Sequence, residues 1–226
     1  MLTNNRRTDT FVSILADGLL HVTANEETEG AVKRTYETKE RDSDGNFIKK
    51  SKWELQYTEL TGMISGIKFY EGDYGLQLQV TFTDDTDKPI TLSVNTQSNF
   101  GEDIMKKLPN IDLKQPVKLV PYSFKDEKTG KPRRGVTIYQ GEEKIQSFYY
   151  DAEKKKTLHG YPVAKLPKVK KGEKVPTSFW KLFYLQANAF LVEDIKKRMN
   201  ITEDAAEGDK ELDDLVADAQ SALDDK

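Results

Sequence analysis

The sequence predicts a mainly β fold. Leu76, Leu78, Val80 and Phe82 alternate with Gln77, Gln79, Thr81 and Thr83, a period of two that sends the apolar set to one face of a strand. Ile90, Leu92 and Val94 repeat the pattern against Thr91, Ser93 and Asn95. Turn-forming clusters separate the runs: Glu71-Gly72-Asp73-Tyr74-Gly75, then Asp84-Asp85-Thr86-Asp87-Lys88-Pro89.

The other elements follow in chain order. Residues 10–14 and 19–23 around Asp17-Gly18 read as a hairpin, and 32–38 with 46–50 around Asp42-Ser43-Asp44-Gly45 as a second. Residues 52–60 lead into a strand on which strict alternation puts Met63, Ile67 and Phe69 on one face and Ile64, Lys68 and Tyr70 on the other. A short helix is expected over 98–108, with Ser98 as N-cap and Pro109 past its end. Strands at 117–122 and 134–139 flank the charged turn Asp126-Glu127-Lys128-Thr129-Gly130-Lys131, and 144–150 closes the series. Three strands, a short helix and two strands is the order of the OB-fold, a five-stranded Greek-key barrel. Residues 53–150 have the length for it. Before them, 1–52 form an N-terminal β-hairpin extension. After them, 151–176 form a lysine-rich connection. In 177–200, Phe179, Leu182, Phe183, Gln186, Phe190 and Ile195 mark an amphipathic helix packing on the barrel, capped at Thr177 or Ser178. Residues 201–226 are an acidic tail expected to be disordered.

Charge sharpens this division. The 226 residues are 32% charged and 36% hydrophobic, with a net charge of −3. Residues 203–226 hold ten acids and two lysines, −8, which leaves +5 on the rest. Residues 152–182 hold nine lysines against Glu153 and Glu173, with Pro162, Pro167 and Pro176 between them. There is no cysteine, which excludes disulfides, thiolate metal sites and cysteine nucleophiles. His21 and His159 are the only imidazoles. No apolar run reaches the roughly 20 residues that cross a bilayer, and the N-terminus has no apolar signal core. The expectation is a soluble, cytoplasmic protein (host cytoplasm if viral) with no membrane partner, no metal and no cofactor. Asp42-Ser43-Asp44-Gly45-Asn46 lacks the closing glutamate of a calcium loop and reads as a turn. Asp84, Asp85 and Asp87 read as a turn as well. Thr129-Gly130-Lys131 lacks the glycine-rich lead of a phosphate loop.

With the aliphatic faces inward, the outward set includes Lys68, Tyr70, Gln77, Gln79, Lys118, Tyr122, Arg133, Thr137 and Tyr139, with Tyr74 in a loop. Arg134 and Trp53 join it as a further cation and a further stacking ring. Cations neutralise phosphates and release counterions. Exposed rings stack on unpaired bases, at about 1–3 kcal/mol per base. This mixture suits single-stranded nucleic acid, DNA or RNA. A tail of −8 can compete with phosphates for the body, and the lysines of 154–174 form a second phosphate-binding candidate.

Thr61-Gly62-Met63-Ile64-Ser65-Gly66-Ile67, Asp73-Tyr74-Gly75-Leu76-Gln77-Leu78, Lys107-Leu108-Pro109-Asn110-Ile111-Asp112 and Pro116-Val117-Lys118-Leu119 with Pro121-Tyr122 carry a family resemblance. Over residues 53–150 and the acidic tail, the chain resembles bacteriophage-type single-stranded DNA-binding proteins with an OB-fold. The resemblance implies a non-enzymatic role in DNA replication, recombination or repair. It also implies that replication or recombination proteins dock on the tail, through Asp213, Asp214, Leu215, Asp218, Leu223, Asp224 and Asp225. Many such proteins carry a terminal aromatic, whereas this sequence closes on Ala222-Leu223-Asp224-Asp225-Lys226, so docking through a terminal phenylalanine is not implied. The rival reading is a protein–protein adaptor or virion assembly component on an OB-like barrel. A magnesium nuclease has no convincing acidic motif to support it. Nothing in the sequence sets the oligomeric state.

Overall fold

The computed structural model describes residues 10–83, 88–168, 170 and 174–201. Its elements are β1 (Thr10–Ile14), β2 (Leu20–Ala24), β3 (Val32–Arg41), β4 (Phe47–Tyr57), β5 (Leu60–Gly72), β6 (Gly75–Thr83), β7 (Ile90–Asn95), α1 (Asn99–Lys107), β8 (Val117–Lys125), β9 (Pro132–Gln140), β10 (Glu143–Lys144), β11 (Tyr150–Asp151), β12 (Lys156–Thr157) and α2 (Thr177–Arg198). A 3-10 turn at Leu108–Asn110 follows α1. The fold is mainly β. One mixed sheet runs in the order β10-β9-β8-β5-β6-β7-β1-β2-β4-β3, and β11 pairs with β12 apart from it. Every ladder is antiparallel except β1 on β7.

Alternation builds the core. Leu78, Val80 and Phe82 of β6 pack with Leu92 and Val94 of β7 and Val12 of β1. Leu119 of β8 and Val136 and Ile138 of β9 join them. α1 adds Phe100, Ile104 and Met105. Each fully buried aliphatic or aromatic chain contributes about 1.5–3 kcal/mol relative to an exposed one. Ser98 caps α1 as expected, its Oγ accepting the Gly101 N–H at 3.0 Å. Asp42 shapes its turn by accepting the N–H groups of Asp44 at 3.0 Å and Asn46 at 2.9 Å. The Asp84–Asp87 turn lies outside the described residues.

β5 departs from strict alternation. Its pairing with β6 slips by one residue between Ile64 and Gly66. Ser65 is the extra residue of a β-bulge, which resets side-chain parity. Ile64 therefore shares the core face with Ile67 and Phe69, and Met63 falls on the face of Lys68 and Tyr70. The expected grouping of Met63 with Ile67 and Phe69 is thus corrected.

The ladders do not form a five-stranded ring. β7 bonds to β6 and β1, and β9 bonds to β8 and β10. Where β10 leaves β9 unpaired, at Val136, α1 covers it instead. The Val136 N–H donates to Asp103 Oδ2 at 2.7 Å, and the Val136 carbonyl accepts from Lys107 Nζ. The sheet nevertheless curls, so that the β1–β2 turn at Gly18 abuts the backbone of Tyr122 and Ser123 in β8.

Three further departures concern local chemistry. Residues 144–150 do not form one strand: the Ile145 N–H bonds Ile138 O at 2.9 Å, and the Phe148 N–H bonds Lys106 O at 2.7 Å. α2 begins at Thr177 with Pro176 in the cap position and no side-chain cap bond. Its buried stripe is Leu182, Ala187, Asn188, Leu191, Val192 and Ile195, so Gln186 lies outside it. α2 packs on α1 and the 3-10 turn. Asn188 anchors it by donating to Thr96 O at 2.7 Å. The β3–β4 ribbon pairs with the sheet only through β4, and no residue between 35 and 51 is fully buried among those described.

Gly18 is doubly constrained. Its φ is +81°, and an added Cβ would collide with the Ser123 amide nitrogen. Gly18→Ala is expected to destabilise the fold by about 2 kcal/mol, from left-handed strain plus the clash. Urea denaturation of the variant against the parent checks this, and an unchanged midpoint would refute the close approach.

Candidate nucleic-acid interface

The sequence-derived residues fall into separate groups. Lys68 pairs with Gln79 and Tyr70 with Gln77 across β5 and β6, all on the face away from the core. Tyr74 sits in the turn beyond them, and its carbonyl accepts from Asn95 Nδ2 at 2.6 Å. Register extends the row: Gln79 lies opposite Ser93, Ser93 beside Ser13, Ser13 opposite His21, and His21 opposite Gln56. Six strands spaced about 4.8 Å apart make this a polar track of about 24 Å. Neighbouring rows add Tyr70, Gln77 and Asn95 on one side and Thr81, Thr91 and Phe11 on the other. No residue in these three rows is acidic. α1 and the 3-10 turn meet β5 and β6 on their core face, where Ile104 and Leu108 share a small void with Ile64, Val80 and Phe82.

Lys118 and Tyr139 form a second group. They are a cross-strand pair on β8 and β9, with Lys118 Nζ 5.3 Å from the ring centroid. Thr61 is the β5 partner of Lys118, so Tyr70 lies about 30 Å further along β5.

Tyr122 and Arg133 belong to a third group at the far end of β8 and β9, with Phe124 opposite Arg133. The Tyr122 and Phe124 ring centroids are 5.7 Å apart. Burial, reinforced by the Asp103 charge, pushes the half-buried Tyr122 phenol up, and Arg133 opposes it. Arg133 Nε binds Asp126 Oδ2 at 3.2 Å. Arg134 is paired with Ser123, and alternation puts it on the opposite face from Arg133. Trp53 shares its face of β4 with Leu55, opposite to the His21 row, and Lys33 Nζ sits 5.8 Å from its ring. The tail residues Asp213, Asp214, Leu215, Asp218, Leu223, Asp224 and Asp225 lie outside the described residues.

Sequence reasoning passed over Ser13, His21, Ser93 and Asn95 as members of the track, and Phe124 beside Tyr122. Alternation against Ile90, Leu92 and Val94 was the available signal for Ser93 and Asn95, and period-two spacing from Tyr122 was that for Phe124. Ser13 and His21 reach the track only through the parallel β1–β7 pairing, which local pattern does not encode.

A buried charge cluster closes the β4 end of the track. Glu54 is 1% exposed. Its Oε2 meets Arg34 Nε at 2.6 Å and His21 Nδ1 at 3.0 Å, and its Oε1 meets Lys52 Nζ at 2.7 Å. His21 Nε2 meets Asp17 Oδ2 at 3.0 Å, tying the β1–β2 turn to the ribbon. Burial pushes the Glu54 carboxyl up, but hydrogen bonds from Arg34 and Lys52, with their charges, outweigh it and hold it at about 2. Comparison with protein-family models, with curated proteins and with solved structures finds no match to this chain.

Because the folded value lies below the ordinary 4.5, the Glu54 contribution is complete above about pH 4.5 and is lost as pH falls towards 2. Allowing for solvent around Arg34 and Lys52, it amounts to about 2 kcal/mol. Glu54→Gln is expected to flatten the stability-against-pH curve in that window, read by chemical denaturation at several pH values. An unchanged slope would remove Glu54 as its source.

Proposed function

We propose that this protein binds single-stranded DNA, largely without sequence choice, in phage DNA replication, recombination or repair. The strand lies on the outer face of β5, β6, β7 and β1. One observation carries the reading: across β5, β6, β7 and β1 the track rows hold no acidic residue and run towards Tyr70 and Tyr74, which are 55% and 69% exposed. Rings presented in this way stack on bases of any identity. The serine, asparagine and glutamine side chains bond to sugars and base edges. Lys68, exposed on the track, neutralises phosphate. The order β5-β6-β7-α1-β8-β9 supports an OB-type core, whose nucleic-acid face uses its second and third strands and the loop before them. Here those are β6, β7 and the Tyr74 turn. Lys118 and Tyr139 offer a second, separate pair of cation and ring on β8 and β9. The acidic tail opposes non-specific binding by its charge and recruits replication or recombination proteins.

Anisotropy titrations with labelled oligothymidylate, duplex DNA and RNA at two salt concentrations test this. Affinity for the single strand is expected to fall as salt rises. Tyr70→Ala and Tyr74→Ala are each expected to weaken binding by about 5- to 150-fold, the equivalent of 1–3 kcal/mol. Lys68→Ala is expected to lower the salt slope by about 0.7. No binding to any strand would favour the adaptor reading, and unchanged affinity in both tyrosine variants would reject this face.

A further inference from the structure

The N-terminal half of α2 is unlike its C-terminal half. Leu191, Val192 and Ile195 are buried against α1 and the core, whereas Phe179, Trp180 and Phe183 are only part-buried and Tyr184 is exposed. The rings pack on one another: Trp180 lies 5.3 Å from Phe179 and 6.1 Å from Phe183 between centroids. Beside them runs an open groove between α2 and the incoming chain, walled by Val163, Phe179, Leu182 and Phe183. Val163 is 64% exposed and the neighbouring Leu166 61%, which is much apolar surface to leave in water.

The rim is cationic. Lys165 lines the groove, and Lys168, Lys174 and Lys181 flank it in sequence. All four are exposed, and none has an ion-pair partner among the described residues. Between Lys154 and Val192 the sequence holds one acid, Glu173.

We infer that this groove holds the acidic segment 203–226 of the same chain. Three observations select that occupant. The segment carries −8, and the rim holds exposed lysines. Its apolar residues Leu212, Leu215, Val216, Ala219 and Leu223 recur at the spacing of one helix face, which suits an apolar slot. Its tether reaches. Phe183 lies about 22 Å back along α2 from Arg198, at about 1.5 Å per residue, and the chain from Ile201 to Leu212 extends to about 36 Å. A nucleic acid would meet the lysines but would leave the exposed Val163 and Leu166 without an apolar counterpart. The groove shares no lining residue with the β5–β7 track, so the inference stands or falls independently of the proposed strand-binding face.

The absence of cysteine makes the test direct. A nitroxide on Ser221→Cys in the intact chain is expected to abolish the amide signals of Val163, Lys165, Leu182 and Phe183 at low salt. They should return near 1 M salt, where charges are screened beyond about 3 Å. Lys165→Glu with Lys181→Glu, both exposed positions, should restore the signals without lowering the thermal midpoint. Leu212→Ser with Leu215→Ser should also restore them from the tail side. Full groove signals in the labelled parent would overturn the inference. So would loss confined to Lys68, Tyr70 and Gln77. Loss of equal strength in a mixture of spin-labelled and isotope-labelled molecules would overturn docking within one chain. Oligothymidylate shifting the Trp180 and Phe183 signals of the labelled chain, with no loss caused by the nitroxide, would assign the groove to nucleic acid.

Discussion

Strand β9 presents the N–H and C=O of Val136 to a helix. Asp103 accepts the one and Lys107 donates to the other, on the side of β9 turned away from β8. Lys107 is 8% exposed and rests 2.7 Å from Asp103, so each charge is balanced by the other as well as by the strand. Buried backbone groups demand partners. Because α1 supplies them here, β9 has no need of β7, and the free side of β7 is left for β1. The long sheet, its parallel junction and its curl towards the β1–β2 turn all follow from that exchange.

The same exchange makes the polar track possible. A five-stranded ring would end the outer surface at β7. With β1 and β2 added, Ser13 and His21 carry the row of Lys68, Gln79 and Ser93 across to the ribbon. His21 and Glu54 then lock the turn, β2 and β4 together beneath Arg34 and Lys52. A buried ion cluster of this kind is a weak source of net stability, because desolvation offsets much of the attraction. Its effect is to fix the relative placement of elements far apart in sequence. α2 makes no part of this arrangement: it packs on α1 and the 3-10 turn and bonds Thr96 past the end of β7, and its groove shares no lining residue with the track.

Much of the architecture was legible from local pattern. Leu78, Val80 and Phe82 face the core as their alternation requires, Ser98 caps α1, and both N-terminal hairpins occur about the expected turns. What was not legible had physical causes that leave no local mark. The bulge at Ser65 needs only one extra residue and no special composition, yet it exchanges the faces that Ile64 and Met63 share with the rest of β5. The buried stripe of α2 follows the surface it lies on, so Asn188 is inside, bonded to Thr96, while Gln186 is outside. The candidate interface was half visible. Rings and cations could be read from the strands, but strand register decided that Lys118 and Tyr139 lie far from Tyr70, and that Arg134 faces away from Arg133.

The ribbon has a consequence for behaviour at high concentration. β3 is the last strand of the sheet, ten residues long, and a flat open edge of that length is a template on which a second molecule can polymerise. Its register breaks between Glu37 and Arg41, and Lys33, Arg34, Glu37, Glu40 and Arg41 crowd it with charge of both signs. An incoming strand would find no long uninterrupted ladder and would have to desolvate ions to use a short one. The edge is thereby self-blocking, and many copies can crowd together without their sheets fusing end to end.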